Sequence, residues 1–196
     1  MNSEVTSRLV RSVVDVSRAA QVFGWMSGAE LEWLGKQALD HLVIVELGSY
    51  LGRSTRALGD NTLGKVYAVD DWMGADTGDY ERPLTAERSN QMYEEFRVNV
   101  ADLIEAGIVV PCKLQHGTES NALDLTPDMV FIDGDHSYEA CRRDIQTWWP
   151  RLAAGGLLCG HDSLHAPVTR AVNESLASWS TAKETTIWYS IKGEKQ

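Results

Sequence analysis

Two short motifs in the sequence concentrate the side chains most suited to proton transfer and metal binding. They contain five ionisable residues: Asp133, Asp135 and His136 in the first, and His161 and Asp162 in the second. Carboxylate oxygens such as those of Asp133 and Asp162 are the ligands that Mg²⁺ prefers. Asp135 or His136 is a candidate general base, and His161 is either a further base or a residue that orients Asp162. The two motifs therefore indicate acid–base chemistry beside a divalent cation.

A glycine-containing turn follows an apolar run earlier in the chain. Residues 46–55 read ELGSYLGRST, where Gly48 permits a tight turn and Gly52 a close approach of backbone to ligand. Backbone amides near Ser54, at the start of a predicted helix, can hold an anionic group. The spacing G-x-x-x-G differs from the dinucleotide fingerprint G-x-G-x-x-G, which disfavours an NAD-dependent oxidoreductase.

Further residues at the ends of later apolar runs complete a predicted nucleoside site. Asp70 follows Gly48 by about 20 residues, the interval at which an acid accepts hydrogen bonds from ribose hydroxyls. We expect Trp72 to stack on an adenine, although capping the core is the alternative. Gly117 and Thr118 follow the third run and either contact the adenine or form an ordinary polar turn.

The elements that must position these residues are short, buried strands alternating with helices. Apolar runs rich in β-branched residues are typical of parallel strands buried on both faces. Five such runs occur: Leu42–Leu47, Val66–Val69, Ile108–Pro111, Met129–Ile132 and Leu157–Cys159. Helical patterns between them, at 53–58, 92–103 and 138–152, predict a doubly wound α/β sheet of order 3-2-1-4-5. Pro111 suits the third strand because that strand lies at an edge.

The flanking segments complete a predicted single domain over residues 1–196. Residues 1–41 are expected to form a helical cap, with one amphipathic helix over 5–23 and a second begun by the Ser27–Glu30 capping box. Residues 42–196 form the α/β core. Within it, residues 72–89 are expected to be a long loop, either a substrate lid or a surface insertion.

Three further features are predicted near the C-terminus. Pro150 is expected to end a helix at about Trp149 because proline cannot continue the hydrogen-bond ladder. A helix is expected over residues 167–176, and a final strand over residues 185–191.

The net charge of −10 and the absence of any basic run disfavour nucleic acid and an anionic membrane as partners. No apolar run approaches the ~20 residues that span a bilayer, and no signal peptide is recognisable. We therefore expect a cytoplasmic protein that acts on a small molecule. The N-terminal helix suits either a homodimer interface or a cover for the sheet.

Four sequence runs carry a family resemblance that covers about residues 24–191. They read VELGSYLGRST, YAVDDW, FIDGDHSYEACRRDI and GGLLCGHD. Together they resemble the class I S-adenosylmethionine (SAM)-dependent methyltransferases of the methyltransferase 24 type. This group is similar to the macrocin and aminocoumarin sugar O-methyltransferases. The resemblance implies a Rossmann-like sheet, mostly parallel, with an antiparallel last strand.

The resemblance also implies roles for the residues identified above. The expected cofactor-binding set is Glu46, Gly48, Ser49, Tyr50, Gly52, Ser54, Asp70, Trp72, Gly117, Thr118 and Asp133. The expected metal ligands are Asp133, His161 and Asp162, and Asp135 matches a general base. The expected cation is Mg²⁺ or another divalent metal. A transition metal is the alternative to Mg²⁺ because imidazole suits transition metals better.

The resulting expectation is methylation of a hydroxyl on a small molecule. An alcohol must lose its proton when it attacks the methyl group, and a divalent cation lowers its pKa. N-methylation in the same fold, which needs no metal, is one alternative. A SAM-binding protein without methyl transfer is another.

Overall fold

The computed structural model describes residues 13–74, 85–114 and 119–193, and a mixed β-sheet organises them. The sheet has seven strands in the order β3-β2-β1-β4-β5-β7-β6. The strands are Val43–Leu47 (β1), Lys65–Asp70 (β2), Val109–Lys113 (β3), Met129–Ile132 (β4), Leu157–Gly160 (β5), Ser180–Thr181 (β6) and Trp188–Ile191 (β7). Strands β1 to β5 pair in parallel, whereas β7 runs antiparallel to both β5 and β6. The predicted doubly wound sheet and its antiparallel last strand are confirmed.

Helices connect the parallel strands and cover both faces of the sheet. They are Gly28–Ala38 (α1), Arg53–Gly59 (α2), Ala86–Asn99 (α3), Ala101–Glu105 (α4), Tyr138–Trp148 (α5) and Ala166–Ser175 (α6). Short 3₁₀ turns occur at Ala19–Gln21 and Ser120–Ala122. Within the part of the chain that the structure describes, no helix is both long and apolar enough to cross a membrane.

Two hydrophobic clusters lie on opposite faces of the sheet. Successive strand residues point to opposite faces, so Ile44 joins the cluster of α1 to α3 while Val45 joins that of α5 and α6. Phe96 and Phe131 are fully buried in the first cluster, and Trp148 is fully buried in the second. The sheet is therefore covered on both sides, as its apolar strands predict.

Local signals in the sequence predicted the position of several of these elements correctly. The Ser27–Glu30 capping box begins α1 in the predicted manner. Strand β3 pairs only with β2, which places Pro111 on an edge strand. Helix α5 ends at Trp148 and its C-cap is Trp149, as expected from the proline that follows.

The predicted helix over residues 5–23 is wrong for its described part. Residues 13–18 are not helical, and only a three-residue 3₁₀ turn follows them. The side chain of Asp15 accepts from the backbone amide of Ser17, and Asn61 exchanges hydrogen bonds with the backbone of Asp15. These contacts give the backbone an alternative to helix. The remaining residues of that prediction, 5–12, lie outside the described residues.

The long loop predicted over residues 72–89 extends too far at its C-terminal end, because a helix already begins within it. The side chain of Thr85 accepts from the amide of Arg88 and begins α3 at Ala86. Residues 75–84 of that prediction lie outside the described residues. The single helix expected over 92–103 is two helices, because the backbone at Val100 leaves helical geometry with φ −120°.

The end of the chain contains a strand that the sequence did not predict. The final strand begins at Trp188 rather than Thr185, and the two-residue β6 pairs beside it. Residues 182–187 form the connecting turn, in which the amide of Ala182 donates to the carbonyl of Ile187. A strand of two residues carries too little periodicity to be recognised from sequence.

Candidate active site

The glycine turn after β1 is packed tightly against the backbone that follows β4. Gly48 has φ +90°, and a Cβ atom there would lie 2.2 Å from the carbonyl oxygen of Asp133. The amide of Asp133 in turn donates to the carbonyl of Leu47. The turn and the Asp133 motif therefore meet at the carboxyl end of the parallel strands, where open α/β sheets bind ligands.

A buried carboxyl group accepts hydrogen bonds from residues in and after this turn. Glu46 is fully buried and accepts hydrogen bonds from Ser49 at 2.7 Å and Thr55 at 2.5 Å. Burial raises the pKa of Glu46 to about 7, although the hydroxyls of Ser54, Thr55 and Ser49 oppose that rise. Ser49 and Ser54 are buried as well. Glu46, Ser49 and Ser54 therefore lie buried beneath the glycine turn, and their place around the cofactor stays a prediction.

Asp70 connects the glycine turn to the end of β2. One of its carboxylate oxygens accepts from the amide of Tyr50 at 2.9 Å, and the other accepts from the amide of Trp72 at 2.7 Å. A carboxylate oxygen can accept more than one hydrogen bond. Asp70 is partly exposed, so its remaining lone pairs are accessible at the carboxyl end of β2. A ribose-binding role for Asp70 stays a prediction.

The structure corrects the adenine-stacking prediction for Trp72. Its side chain is 1% exposed and packs against the rings of Tyr93 and Phe96, with centroid distances of 4.5 and 5.1 Å. Its Nε1 donates to the carbonyl oxygen of Tyr50 at 2.7 Å. Trp72 therefore caps the core, because neither face of the indole is open to a ligand. The predicted adenine contacts Gly117 and Thr118 lie outside the described residues.

Three side chains converge at the ends of β4 and β5. The Nε2 atom of His136 lies 3.1 Å from Oδ2 of Asp162 and 3.7 Å from Oδ1 of Asp133. One possible ligand atom from each of the three lies within 4.8 Å of the others. Two carboxylates and one imidazole at this separation form a donor set suited to a divalent transition metal.

His161 lies behind this cluster and contacts protein groups through both ring nitrogens. Its Nδ1 lies 3.1 Å from Oδ2 of Asp162 and 3.7 Å from Oδ1 of Asp133. Its Nε2 lies 3.1 Å from Oε1 of Glu30 and 3.0 Å from the hydroxyl of Thr186. The candidate metal cluster among the described residues therefore consists of Asp133, His136 and Asp162, and the predicted ligand His161 faces the same two aspartates through Nδ1.

These contacts shift the protonation of the two histidines. Burial favours the neutral form of His161, but the hydrogen bond to Asp162 and the charges of Asp133, Asp162 and Glu30 raise its pKa to about 9. The nearby carboxylate of Asp133 raises the pKa of His136. The hydrogen bond from His161 lowers the pKa of Asp162. His161 is thus a cation at neutral pH.

Asp135 takes part in the turn before α5. One of its oxygens accepts from the amide of Ser137, two residues later, at 2.8 Å. Ser137 then caps α5 by accepting from the amide of Ala140. Asp135 is half-buried and lies on the same loop as Asp133 and His136. The predicted base therefore lies in the same motif as Asp133 and His136, and the turn uses one of its two carboxylate oxygens.

Glu30 is the site residue that the sequence analysis missed in this role. Its capping-box signal was recognised, and that contact uses Oε2. The other oxygen reaches Thr186 and His161, which lie at the far end of the chain. Burial would raise the pKa of Glu30, but amide hydrogen bonds from Thr186 and Ser27 and the charge of His161 lower it to about 2. No local sequence signal marks this long-range contact.

The sheet order, the glycine turn after β1 and the acid at the end of β2 together define the class I methyltransferase fold. The model of the methyltransferase 24 family, described as "Methyltransferase domain", matches residues 45–163. The chain belongs to this family, and it is a SAM-dependent methyltransferase, as its sequence predicts.

Solved structures show the same fold at low sequence identity. One is the S-adenosylhomocysteine (SAH)-bound methyltransferase PaMTH1 of Podospora anserina, with a TM-score of 0.66 and 13% identity over 100% of this chain and 97% of that one. Another is the O-methyltransferase TomG of Streptomyces achromogenes, involved in tomaymycin synthesis and in complex with SAM. It has a TM-score of 0.62 and 14% identity over 97% of this chain and 96% of that one.

Proposed function

We propose that this enzyme transfers the methyl group of SAM to a hydroxyl of a small molecule, assisted by a divalent cation. The observation that carries the proposal is the convergence of Asp133, His136 and Asp162 beside the glycine turn. Hydroxyl acceptors need help in losing a proton, and this cluster supplies it. The names of neighbours such as TomG, an O-methyltransferase, support the same reaction.

The cofactor is assigned to the carboxyl ends of β1 and β2. Asp70 would accept hydrogen bonds from the ribose hydroxyls, since its carboxylate is partly exposed and held by two backbone amides. The turn at Gly48 and Tyr50 would allow close contact with backbone. TomG and PaMTH1, whose structures contain SAM and SAH, share this fold.

The cation is assigned to Asp133, His136 and Asp162, whose donor chemistry fits a metal such as Mn²⁺. When bound, the cation would lower the pKa of the acceptor hydroxyl. Asp135 would accept the proton as the hydroxyl oxygen attacks. The new C–O bond forms as the S–C bond breaks, and SAH leaves. His161 has both nitrogens directed at protein groups, so its role is to hold Asp162 rather than to meet the acceptor.

Calorimetric titration with SAH tests the cofactor assignment. Asp70→Asn should weaken SAH binding by about 10- to 100-fold, because it removes charge-assisted hydrogen bonds worth about 1.5–3 kcal/mol. The matched control is Asp71→Asn, which changes the neighbouring acid and should leave the affinity near that of the wild type. Equal losses in both variants, or no binding by the wild type, would contradict the assignment.

Turnover with and without metal separates O- from N-methylation. After chelation, SAH release should be measured with phenols, sugars and amines as acceptors, and then again with Mn²⁺ added. We expect hydroxylated acceptors to be methylated only when Mn²⁺ is present. Metal-independent methylation of amines alone would favour the N-methyltransferase alternative. Binding of SAH without turnover of any acceptor would favour a SAM-binding protein that lacks methyl transfer.

A further inference from the structure

Glu30 is a buried carboxylate that joins three separate parts of the chain. Its Oε2 accepts from the amide and the hydroxyl of Ser27, at 2.8 and 2.9 Å. Its Oε1 accepts from the amide and the hydroxyl of Thr186, at 3.0 and 2.9 Å. The same Oε1 lies 3.1 Å from Nε2 of His161. Helix α1, the turn before β7 and the end of β5 therefore meet at one side chain.

These contacts fix the orientation of the His161 ring. With Nε2 directed at Glu30, Nδ1 faces Oδ2 of Asp162 at 3.1 Å and Oδ1 of Asp133 at 3.7 Å. A flipped ring would present carbon atoms to the carboxylates and lose both sets of contacts. The ring is largely buried, which leaves little water to replace them. Glu30 thus determines which atom of His161 faces the two aspartates.

Asp162, which His161 contacts, also has an unusual backbone conformation. Its φ is +60°, a left-handed conformation that non-glycine residues adopt infrequently. Such conformations cluster at functional sites, where surrounding contacts hold them. The hydrogen bond with His161 is one contact that fixes the Asp162 side chain.

We propose that Glu30 is a positioning residue which, through His161, holds the Asp162 carboxylate in the orientation that a divalent cation requires. The proposal rests on the metal site of the proposed function. Groups that hydrogen-bond to metal-binding side chains orient them and tune their affinity. Through Glu30 this support reaches helix α1. Among the described residues, α1 contributes no member of the Asp133, His136 and Asp162 cluster itself.

Binding of Mn²⁺ to the full chain, measured by calorimetry after chelation, tests the proposal. Glu30→Gln keeps the shape of the side chain but removes its charge, and we expect Mn²⁺ affinity to fall by about 10- to 100-fold. Ser27→Ala is the matched control, because it removes a partner of Oε2 and weakens the same helix cap while leaving Oε1 beside His161. Ser27→Ala should bind Mn²⁺ about as tightly as the wild type.

Two further measurements keep the result interpretable. SAH affinity should be unchanged in Glu30→Gln, which shows that the fold is intact. Thr186→Val, which removes the hydroxyl donor to Oε1, should weaken Mn²⁺ binding in the same direction but less. If the wild type binds Mn²⁺ and Glu30→Gln binds it equally well, or if Ser27→Ala loses as much affinity, the positioning role is overturned. If the wild type does not bind Mn²⁺, the metal site of the proposed function is overturned as well.

Discussion

At the scale of single residues, two buried carboxyl groups near the candidate site have pKa values shifted in opposite directions. Glu30 receives backbone amide donors and faces a cationic imidazole, which keep it charged. Glu46 is surrounded by hydroxyls in a fully buried position, and the cost of removing its charge from water dominates. Glu30 therefore supports a charge-dependent contact, whereas Glu46 supports the glycine turn as a largely neutral hydrogen-bonding group below its pKa.

The pKa of Glu46 makes folding stability depend on pH. The folded pKa of about 7 lies above the ordinary glutamate pKa of 4.5, so between these values the folded state holds a proton that the unfolded state releases. Stability contributed by this proton is present below pH 4.5 and is lost as the pH rises through 7. We expect Glu46→Gln to remove this dependence, which amounts to about 3 kcal/mol.

Urea unfolding of both proteins at several pH values between 4.5 and 8 measures the effect. The free energy of unfolding of the wild type should fall relative to that of Glu46→Gln across this range. The variant's stability relative to the wild type should therefore rise with pH. Parallel curves for the two proteins would show that Glu46 does not titrate in this window.

At the scale of elements, the site depends on how closely the β1–α2 turn packs on the β4–α5 loop. Any side chain at Gly48 would collide with the Asp133 backbone, and the turn also needs the positive φ that glycine adopts freely. The turn that would hold the cofactor and the motif that would hold the cation are thus parts of one packed unit. Movement of either one displaces the other.

Gly48→Ala should disrupt this unit more than a glycine substitution that only strains the backbone. Gly155 also has a positive φ, but a Cβ atom there meets nothing within 4 Å. Gly155→Ala should cost about 1–2 kcal/mol from backbone strain. Gly48→Ala should cost more and should also weaken SAH binding by at least about tenfold, because the turn must move off Asp133. Thermal unfolding and SAH calorimetry on both variants compare them, and equal effects would argue against the packed unit.

The sequence predicted elements whose signals are local and missed those that depend on distant contacts. Strand β4 was predicted at its observed bounds because its buried apolar run is flanked by polar residues. The cap at Ser27 was likewise readable from four consecutive residues. The burial of Trp72 and the contact of Glu30 with His161 were not, since each depends on residues brought together only by the folded sheet. Ionisable residues at strand ends could be grouped, but their pairing could not.

At the scale of the whole molecule, one guanidinium group contacts several backbone carbonyls of the segment before α1. Arg53, at the start of α2, donates to the backbone carbonyl oxygens of Ala20, Val22 and Met26. The same segment leads directly into the capping box that contains Glu30. Contacts at the glycine turn and contacts behind the Asp133, His136 and Asp162 cluster are therefore connected through one stretch of N-terminal chain.

The aromatic rings of this segment show how it meets the glycine turn. Phe23 and Trp25 are 61% and 60% exposed, and their ring centroids lie 6.4 and 5.3 Å from that of Tyr50. Exposed rings contribute little burial energy, so they cannot by themselves hold the segment in place. The carbonyl contacts of Arg53 and the burial of Ala19, Val22 and Met26 in the core supply that stability.

Removing the guanidinium group should release the segment. Arg53→Met retains an apolar side chain of similar length but loses several hydrogen bonds from a charged donor, each worth about 1.5–3 kcal/mol. We expect a lower melting temperature and faster proteolytic cleavage within residues 18–26. Arg97→Met is the matched control, because Arg97 is half-exposed and pairs with Glu94 on the surface of α3. Arg97→Met should change neither the melting temperature nor the cleavage rate appreciably. Unchanged cleavage in Arg53→Met would mean that other contacts hold the segment in place.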